Sequence, residues 1–153
     1  MILFPYDQMQ AWVGPYPPET VQSQFEKMAV MWKQGLNTFA VALEEVLPAR
    51  QPNAILDYGI AETCYLHFKS VANQIRFYLL RAKWTKGDNS VREEMAAIVQ
   101  EEIDLARRLF ILSRRDSRIG FEAANHYYYR PLDLAEKVLN CRQILRSLGV
   151  WGR

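Results

Sequence analysis

A chain of 153 residues and 17.9 kDa is long enough for one domain with a substantial hydrophobic core and too short for two ordinary domains. Hydrophobic residues make up 50% of the chain and charged residues 24%, which excludes a disordered protein. The net charge of +2 does not by itself indicate nucleic-acid binding. No apolar run approaches the roughly 18 residues that a membrane-spanning helix needs. We therefore expect neither a nucleic acid nor a membrane as partner.

The N-terminal segment lacks the basic start of a secretory signal peptide, so we expect a cytoplasmic protein. Cys64 and Cys141 are both predicted on apolar helix faces, which favours two buried, reduced thiols, with an interhelical disulfide as the alternative. The two histidines, His67 and His126, are far apart and form no metal-binding pattern with the cysteines. We expect no metal and no cofactor.

Charge is distributed unevenly along the chain. Residues 1–75 carry a net charge of −3 and residues 76–153 a net charge of +5, mostly from arginine. The basic half indicates either a surface for an anionic partner or solvated helix faces whose arginines lie beside acidic residues. The sequence leaves both interpretations open.

The chain begins with a segment rich in proline and aromatic residues. Residues 1–18, which include Trp12 and Tyr16, are predicted to form an irregular arm that packs on the rest of the chain or on something missing from it. Residues 19–153 are predicted to form a single helical domain. The boundary between the two follows from Pro17-Pro18, because proline is tolerated in the first turn of a helix.

Four helices are predicted after this arm. The first has an apolar stripe with a spacing of three and four residues and runs from Pro18 to about Leu47. The second begins at Asn53, a plausible N-cap, and runs to Trp84. The third begins at Ser90, with Glu93 completing a capping box, and runs to about residue 114. The fourth lies between residues 131 and 148, after a long loop over 115–131. Long helices with short links predict an all-α fold, an up-down helical bundle of four main helices.

The loop before the fourth helix has the composition of a binding loop. Residues 116–131 contain three tyrosines with histidine, asparagine, glutamate and arginine, and such groups suit a sugar through ring stacking and bidentate hydrogen bonds. The alternative is a structural crossover in which the tyrosines cap the bundle and the arginine and glutamate pair. The candidate ligand-binding residues are Arg118, Glu122, Asn125, His126 and Tyr128, with Trp12 and Tyr16 as stacking platforms.

Two further features concern the helices. A polar row on the second helix (Thr63, His67, Ser70, Gln74 and Arg81) predicts either a groove facing a ligand or another domain, or a solvent-exposed face. Glu102 lies on the apolar stripe of the third helix, which predicts a buried ion pair involving Glu62 or an arginine of a neighbouring helix. No nucleophile motif, P-loop or di-metal motif is present, so no catalytic residue is assigned.

Two segments carry a resemblance to a known group of proteins. They are Arg118-Ile-Gly-Phe-Glu-Ala-Ala-Asn-His-Tyr-Tyr-Tyr-Arg-Pro-Leu-Asp-Leu-Ala-Glu-Lys-Val-Leu-Asn-Cys and Tyr65-Leu-His-Phe-Lys-Ser-Val-Ala-Asn-Gln-Ile-Arg-Phe-Tyr-Leu-Leu-Arg. Together with Gly14-Pro-Tyr-Pro-Pro they resemble the C-terminal helical region of large bacterial proteins that look like glycoside hydrolases. The resemblance implies a bacterial source and a parent whose catalytic carboxylates lie in an upstream barrel. Residues 1–18 would then be the junction to that barrel.

Three functional hypotheses follow. The first is a non-catalytic accessory domain of a carbohydrate-active protein, which packs on a catalytic domain and lends loop residues to a sugar site. The second is a stand-alone interaction or dimerisation module, because aromatic residues and arginine on a helical surface are typical of interfaces. The third, a small enzyme using His67 or His126, is the least supported. The expected partners are a carbohydrate ligand, a missing catalytic domain or a second copy of the chain.

Overall fold

The computed structural model describes residues 9–120 and 130–150, and in this part of the chain every regular element is helical. The predicted all-α class is therefore confirmed. The elements in chain order are α1 (Met9–Val13), α2 (Pro18–Glu44), α3 (Gln51–Trp84), a 3₁₀ turn (Asn89–Val91), α4 (Arg92–Arg115) and α5 (Pro131–Ser147).

The N-terminal arm contains an element that the sequence analysis did not predict. Residues Met9–Val13 form a helix of five residues, whereas the whole arm was expected to be irregular. Val13 is buried and α1 packs against α2, so this short turn is held by tertiary contact rather than by its own propensity. Gly14 follows with a φ of +62°, a backbone conformation that ends the turn and that glycine adopts without strain. Residues 1–8 lie outside the described part.

The turn between α2 and α3 differs in detail from its prediction. Helix α2 begins at Pro18 as expected and ends at Glu44 rather than at Leu47. The residue before a proline avoids the helical conformation, so Pro48 stops the helix early. The N–H groups of Arg50 and Gln51 donate to the carbonyl of Leu47, and this turn leads directly into α3 at Gln51. Asn53, the predicted N-cap, therefore lies inside the helix.

The turn that leads into α4 is capped by a different residue from the one predicted. The Asp88 carboxylate accepts hydrogen bonds from the Ser90 backbone N–H at 3.0 Å and from the Ser90 hydroxyl at 2.6 Å. The 3₁₀ turn then precedes α4, which begins at Arg92. The predicted capping box of Ser90 and Glu93 is wrong because Asp88 lies two residues earlier and already occupies both donors of Ser90.

Helix α3 is the centre of the packing. Helix α2 packs along α3, α4 packs on α3, and α5 packs on α4. The core lies among α3, α4 and α5 and comprises Leu66, Leu80, Met95, Ile103, Leu109, Leu134 and Leu145. Helix α2 contributes to the buried interior only through Ala29 and Leu36 among its described side chains. Among the described elements, α3 covers one side of α2, and α1 packs beside it.

The C-terminal end of α5 is tied to the start of α4. The Arg92 guanidinium donates to the carbonyls of Leu148 and Gly149, two groups that a helix end leaves without partners. Gly149 has a φ of +68° and stops the helix, as its position after the last apolar residue predicted. This contact fixes how α5 lies on α4.

Candidate functional site

The predicted sugar-binding residues are mostly beyond the described residues. Glu122, Asn125, His126 and Tyr128 lie in the segment 121–129, which the structure does not describe. The backbone of Trp12 belongs to α1, and its side chain is also outside the description. Tyr16 is exposed to 62%. Whether these residues come together is therefore not tested, and the sugar site stays a prediction.

Arg118, the one candidate in that loop which is described, is bound locally. Its Nε and Nη2 donate to the Asp116 carboxylate at 3.0 and 2.7 Å, and its backbone N–H donates to the same carboxylate at 3.0 Å. Asp57 of α3 lies 3.7 Å from its Nη1. Hydrogen bonding from Arg118 holds the pKa of Asp116 below its usual value. The predicted pairing of Arg118 with Glu122 falls outside the description, and the pairing that is seen closes the end of α4.

A group of polar side chains lies between α3, α4 and α5. We call Ser70, Asn73, Glu102 and Lys137 the polar cluster. The Lys137 ammonium lies 2.5 Å from the Glu102 carboxylate and donates to the Ser70 hydroxyl at 2.8 Å. Ser70 donates to Glu102 at 2.8 Å, and the Asn73 amide donates to the other Glu102 oxygen at 2.9 Å. Every group that meets the Glu102 carboxylate is a hydrogen-bond donor, so the buried charge is compensated.

The polar cluster corrects two predictions from the sequence. Glu102 forms a buried ion pair, as predicted. Its partner is Lys137 of α5, whereas the sequence analysis named Glu62 or an arginine of a neighbouring helix. Glu62 instead binds Arg108 through two hydrogen bonds of 2.7 and 2.6 Å. Ser70, expected on a ligand groove or a solvent face, is 4% exposed and packs inside the molecule. The polar row of α3 is therefore partly an internal network.

The chemistry of the polar cluster is that of a packing junction. A serine beside a lysine is an arrangement that can serve as nucleophile and base. Here the Ser70 hydroxyl donates to Glu102 and accepts from Lys137 and from the Gln74 amide at 3.0 Å, so its hydrogen-bonding capacity is filled. A buried and saturated hydroxyl cannot meet a substrate. The cluster instead fixes how three helices meet.

Two titratable side chains border this cluster. Burial raises the pKa of the Cys141 thiol, and Lys137 opposes that rise. Burial lowers the pKa of His67, and the positive charge of Lys137 lowers it further. Near neutral pH these shifts favour a protonated thiol and a neutral imidazole. Both cysteines are free in the described structure, with Cys141 buried and Cys64 only half-buried, so the expected burial of both holds for one.

Among residues 9–120 and 130–150, no three side chains of His, Cys, Asp or Glu converge in a way that could hold a metal ion. A helix able to cross a membrane, long and apolar enough, is likewise not found among the described residues.

An open apolar groove runs along the outer side of α2, beside α3. It has a volume of about 900 Å³, and its apolar lining comprises Phe25, Met28, Met31, Trp32, Phe39 and Ala61. Trp32 is fixed in it, because its Nε1 donates to the carbonyl of Ala61 at 2.7 Å and its ring meets Phe68 edge-on at 5.2 Å. The aromatic wall of the groove therefore comes from α2, and α3 fixes its Trp32 ring and contributes Ala61 to the lining.

Helix α2 carries a second stripe that the sequence analysis missed. Ala29 and Leu36 face α3, whereas a set of residues spaced by four, three, four and seven lies on another side of the helix. We call Gln24, Met28, Met31, Gly35 and Ala42 the outer stripe. At about 100° per residue, the outer stripe is turned from the Ala29–Leu36 side by roughly 120°. Met31 is 70% exposed there. Met31 follows Gln24 by seven residues and precedes Ala42 by eleven. This helical spacing was the sequence signal that could have revealed the outer stripe.

Two apolar sides on one helix are typical of a corner position in a helical bundle. Such a helix packs against two neighbours, and the residues between its two stripes face the middle of the bundle. Phe25, Trp32 and Phe39, seven residues apart, hold that intermediate position on α2. One neighbour is α3. The described part of the chain supplies no comparable helix on the outer stripe.

Comparison with known proteins identifies no relative: no protein-family model, no curated protein and no solved structure matches the chain significantly. The resemblance to glycoside-hydrolase-like proteins therefore remains a prediction from the sequence.

Proposed function

We propose that the chain is a helical protein-interaction module that binds its partner through the groove between α2 and α3. The observation that carries the proposal is that, among the described residues, α2 packs on α3 with one side and presents Met31, exposed to 70%, in the apolar groove beside it. A contiguous apolar surface of this kind is typical of interaction sites.

The groove supports the proposal through its shape and its residues. An amphipathic helix binds such a groove by inserting apolar side chains spaced by three, four and seven residues. Each large apolar side chain that becomes fully buried contributes about 1.5–3 kcal/mol. Phe25, Trp32 and Phe39 have the size and rigidity of residues that dominate binding energy. A partner helix would therefore gain most from covering these three rings.

The up-down order of the helices belongs to the same proposal. The links between α2 and α3 and between α3 and α4 are short, and each helix packs on the next one in the chain. This arrangement leaves α2 at one end of the row, where its outer stripe is accessible. The aromatic N-terminal arm joins α2 at the same end, through α1.

The accessory-domain hypothesis is a separate prediction. It depends on residues 121–129 and on Trp12, and a titration with mono- and oligosaccharides tests it through the tryptophan indole signals and the amide signals of that loop. Localised, saturable shifts would support a sugar site. Flat spectra would favour a scaffold or interaction domain over a sugar site.

Selection of binding peptides tests the proposed groove directly. A library of helical peptides is selected on the full chain, and binding of the selected peptides is measured to Met31→Asp and to Leu139→Asp. Leu139 of α5 is 62% exposed and provides a matched control far from the groove in sequence. We expect Met31→Asp to weaken binding at least tenfold and Leu139→Asp to leave it unchanged. Peptides that bind both variants equally would contradict the proposal.

A further inference from the structure

Building on the proposed function, we infer that the partner is a second copy of this chain and that two α2 helices pair antiparallel through their outer stripes, crossing at Gly35. Each pair of α2 and α3 would then supply two helices of a four-helix assembly related by a twofold axis. An interface of this kind must be complementary to itself.

Gly35 is the first observation. Glycine in the middle of a helix is less favourable than alanine, because it loses more backbone entropy. A Cβ atom added at Gly35 would meet nothing within 4 Å, so packing of α2 on α3 does not require a glycine there. A bare backbone in the floor of the groove allows another helix to approach closely. The crossing point of the two helices therefore lies at this residue.

The register that follows sets large residues against small ones. In an antiparallel pair crossing at Gly35, residues equally far from it on opposite sides lie level with each other. Met28 then lies level with Ala42 of the partner subunit, and Met31 lies level with Phe39 of the partner subunit. The long side chain of Met28 meets a methyl group, and Met31 meets an aromatic edge, a contact that sulfur favours.

Charge is the second, independent observation. Lys27 and Glu45 are both exposed, and neither forms an ion pair with another described residue. They lie on the same flank of the outer stripe, eight residues before and ten residues after Gly35. In the antiparallel register, Lys27 of one chain and Glu45 of the partner subunit are offset along the helix axis by two residues, about 3 Å. A lysine side chain spans that offset. The twofold axis creates two such pairs. A parallel arrangement would instead set Lys27 level with Lys27 of the partner subunit and keep it far along the axis from Glu45.

Sedimentation equilibrium of the full chain tests the inference by charge exchange. A single contact stripe predicts a weak dimer, so concentrations from about 10 µM to 1 mM are needed. Lys27→Glu and Glu45→Lys each create two like-charge contacts and should weaken the dimer several-fold, and the double variant should restore it. Lys86→Glu, an exposed change in the turn before α4, is the matched control and should have no effect.

The outcomes separate this inference from the proposed function. A chain that is monomeric at all concentrations, or a double variant that fails to recover, overturns antiparallel self-pairing. If peptides selected on the groove still bind in a manner sensitive to Met31→Asp, the interaction module stands with a different partner. If those peptides also ignore Met31→Asp, both proposals fail together.

Discussion

The Glu102 carboxylate is a buried charge held by two neighbouring helices. It is 6% exposed and accepts hydrogen bonds from α3 and α5 at once. A buried ion pair adds little net stability, because the cost of removing both charges from water offsets their attraction. Removing one partner is costly, since it leaves the other charge uncompensated. We therefore expect this network to favour one packing of the three helices over others.

Replacing Glu102 tests that role. Glu102→Leu removes the acceptor of Lys137, Ser70 and Asn73, and we expect the free energy of unfolding in urea to fall by about 2–4 kcal/mol. Adding Lys137→Met to this variant should recover much of the loss, because an apolar pair needs no compensation. Glu94→Gln, which weakens an exposed pair with Arg76, should cost less than about 1 kcal/mol. A single Glu102→Leu change as mild as Glu94→Gln would contradict the account.

His67 predicts a pH dependence of stability. Its pKa in the folded protein lies below the ordinary value of 6.5, so between these two values the unfolded chain binds more protons. The free energy of unfolding should therefore fall as the pH drops below 6.5. Urea denaturation of the wild type and of His67→Gln, compared between about pH 7.5 and 5.5, measures this contribution. We expect a smaller fall in His67→Gln, and an equal fall in both proteins would show that His67 is not responsible.

At the scale of single elements, two glycines have opposite roles. Gly35 lies in a regular helix with open space around it, whereas Gly149 has a φ of +68° and an added Cβ would lie 2.9 Å from Nη2 of Arg92. In dilute solution Gly35→Ala should raise the free energy of unfolding by about 0.5–1 kcal/mol. Gly149→Ala should lower it by at least about 1 kcal/mol. Thermal denaturation checks both, and a destabilised Gly35→Ala monomer would mean that Gly35 serves internal packing.

Helix periodicity in the sequence was sufficient to predict the four long helices to within a few residues. It could not predict which neighbour covers each face. Ser70 was assigned to a groove or to solvent because its row is polar, and the donor that buries it, Lys137, is 67 residues away in sequence. Glu102 was recognised as buried from its position on an apolar stripe, but the distance along the chain concealed its partner. The predicted caps were wrong for local reasons: Asp88 occupies the donors of Ser90, and the turn from Leu47 starts α3 at Gln51, two residues before Asn53.

At the scale of the whole molecule, the packing is uneven. Three helices share a core with an internal polar network, while α2 adheres to α3 and turns a second apolar stripe outward. Arg76 links the two parts, because it contacts Glu26 of α2 and Glu94 of α4. In this arrangement a core of three helices carries α2 at its edge, where the proposed interaction surface lies. The arrangement also explains why the candidate binding surface lies in the first third of the chain and not in the arginine-rich half.

The methionine methyl groups provide the most direct test of whether α2 binds a partner through the groove. The chain has five methionines, of which Met28 and Met31 line the groove and Met95 is 1% exposed in the core. In spectra of ¹³C-methyl-labelled protein recorded over a concentration series, the account predicts that the Met28 and Met31 signals shift in a saturable manner while the Met95 signal stays fixed. Five signals that do not change with concentration, and that also do not change on addition of a groove-selected peptide, would show that α2 binds nothing through this face.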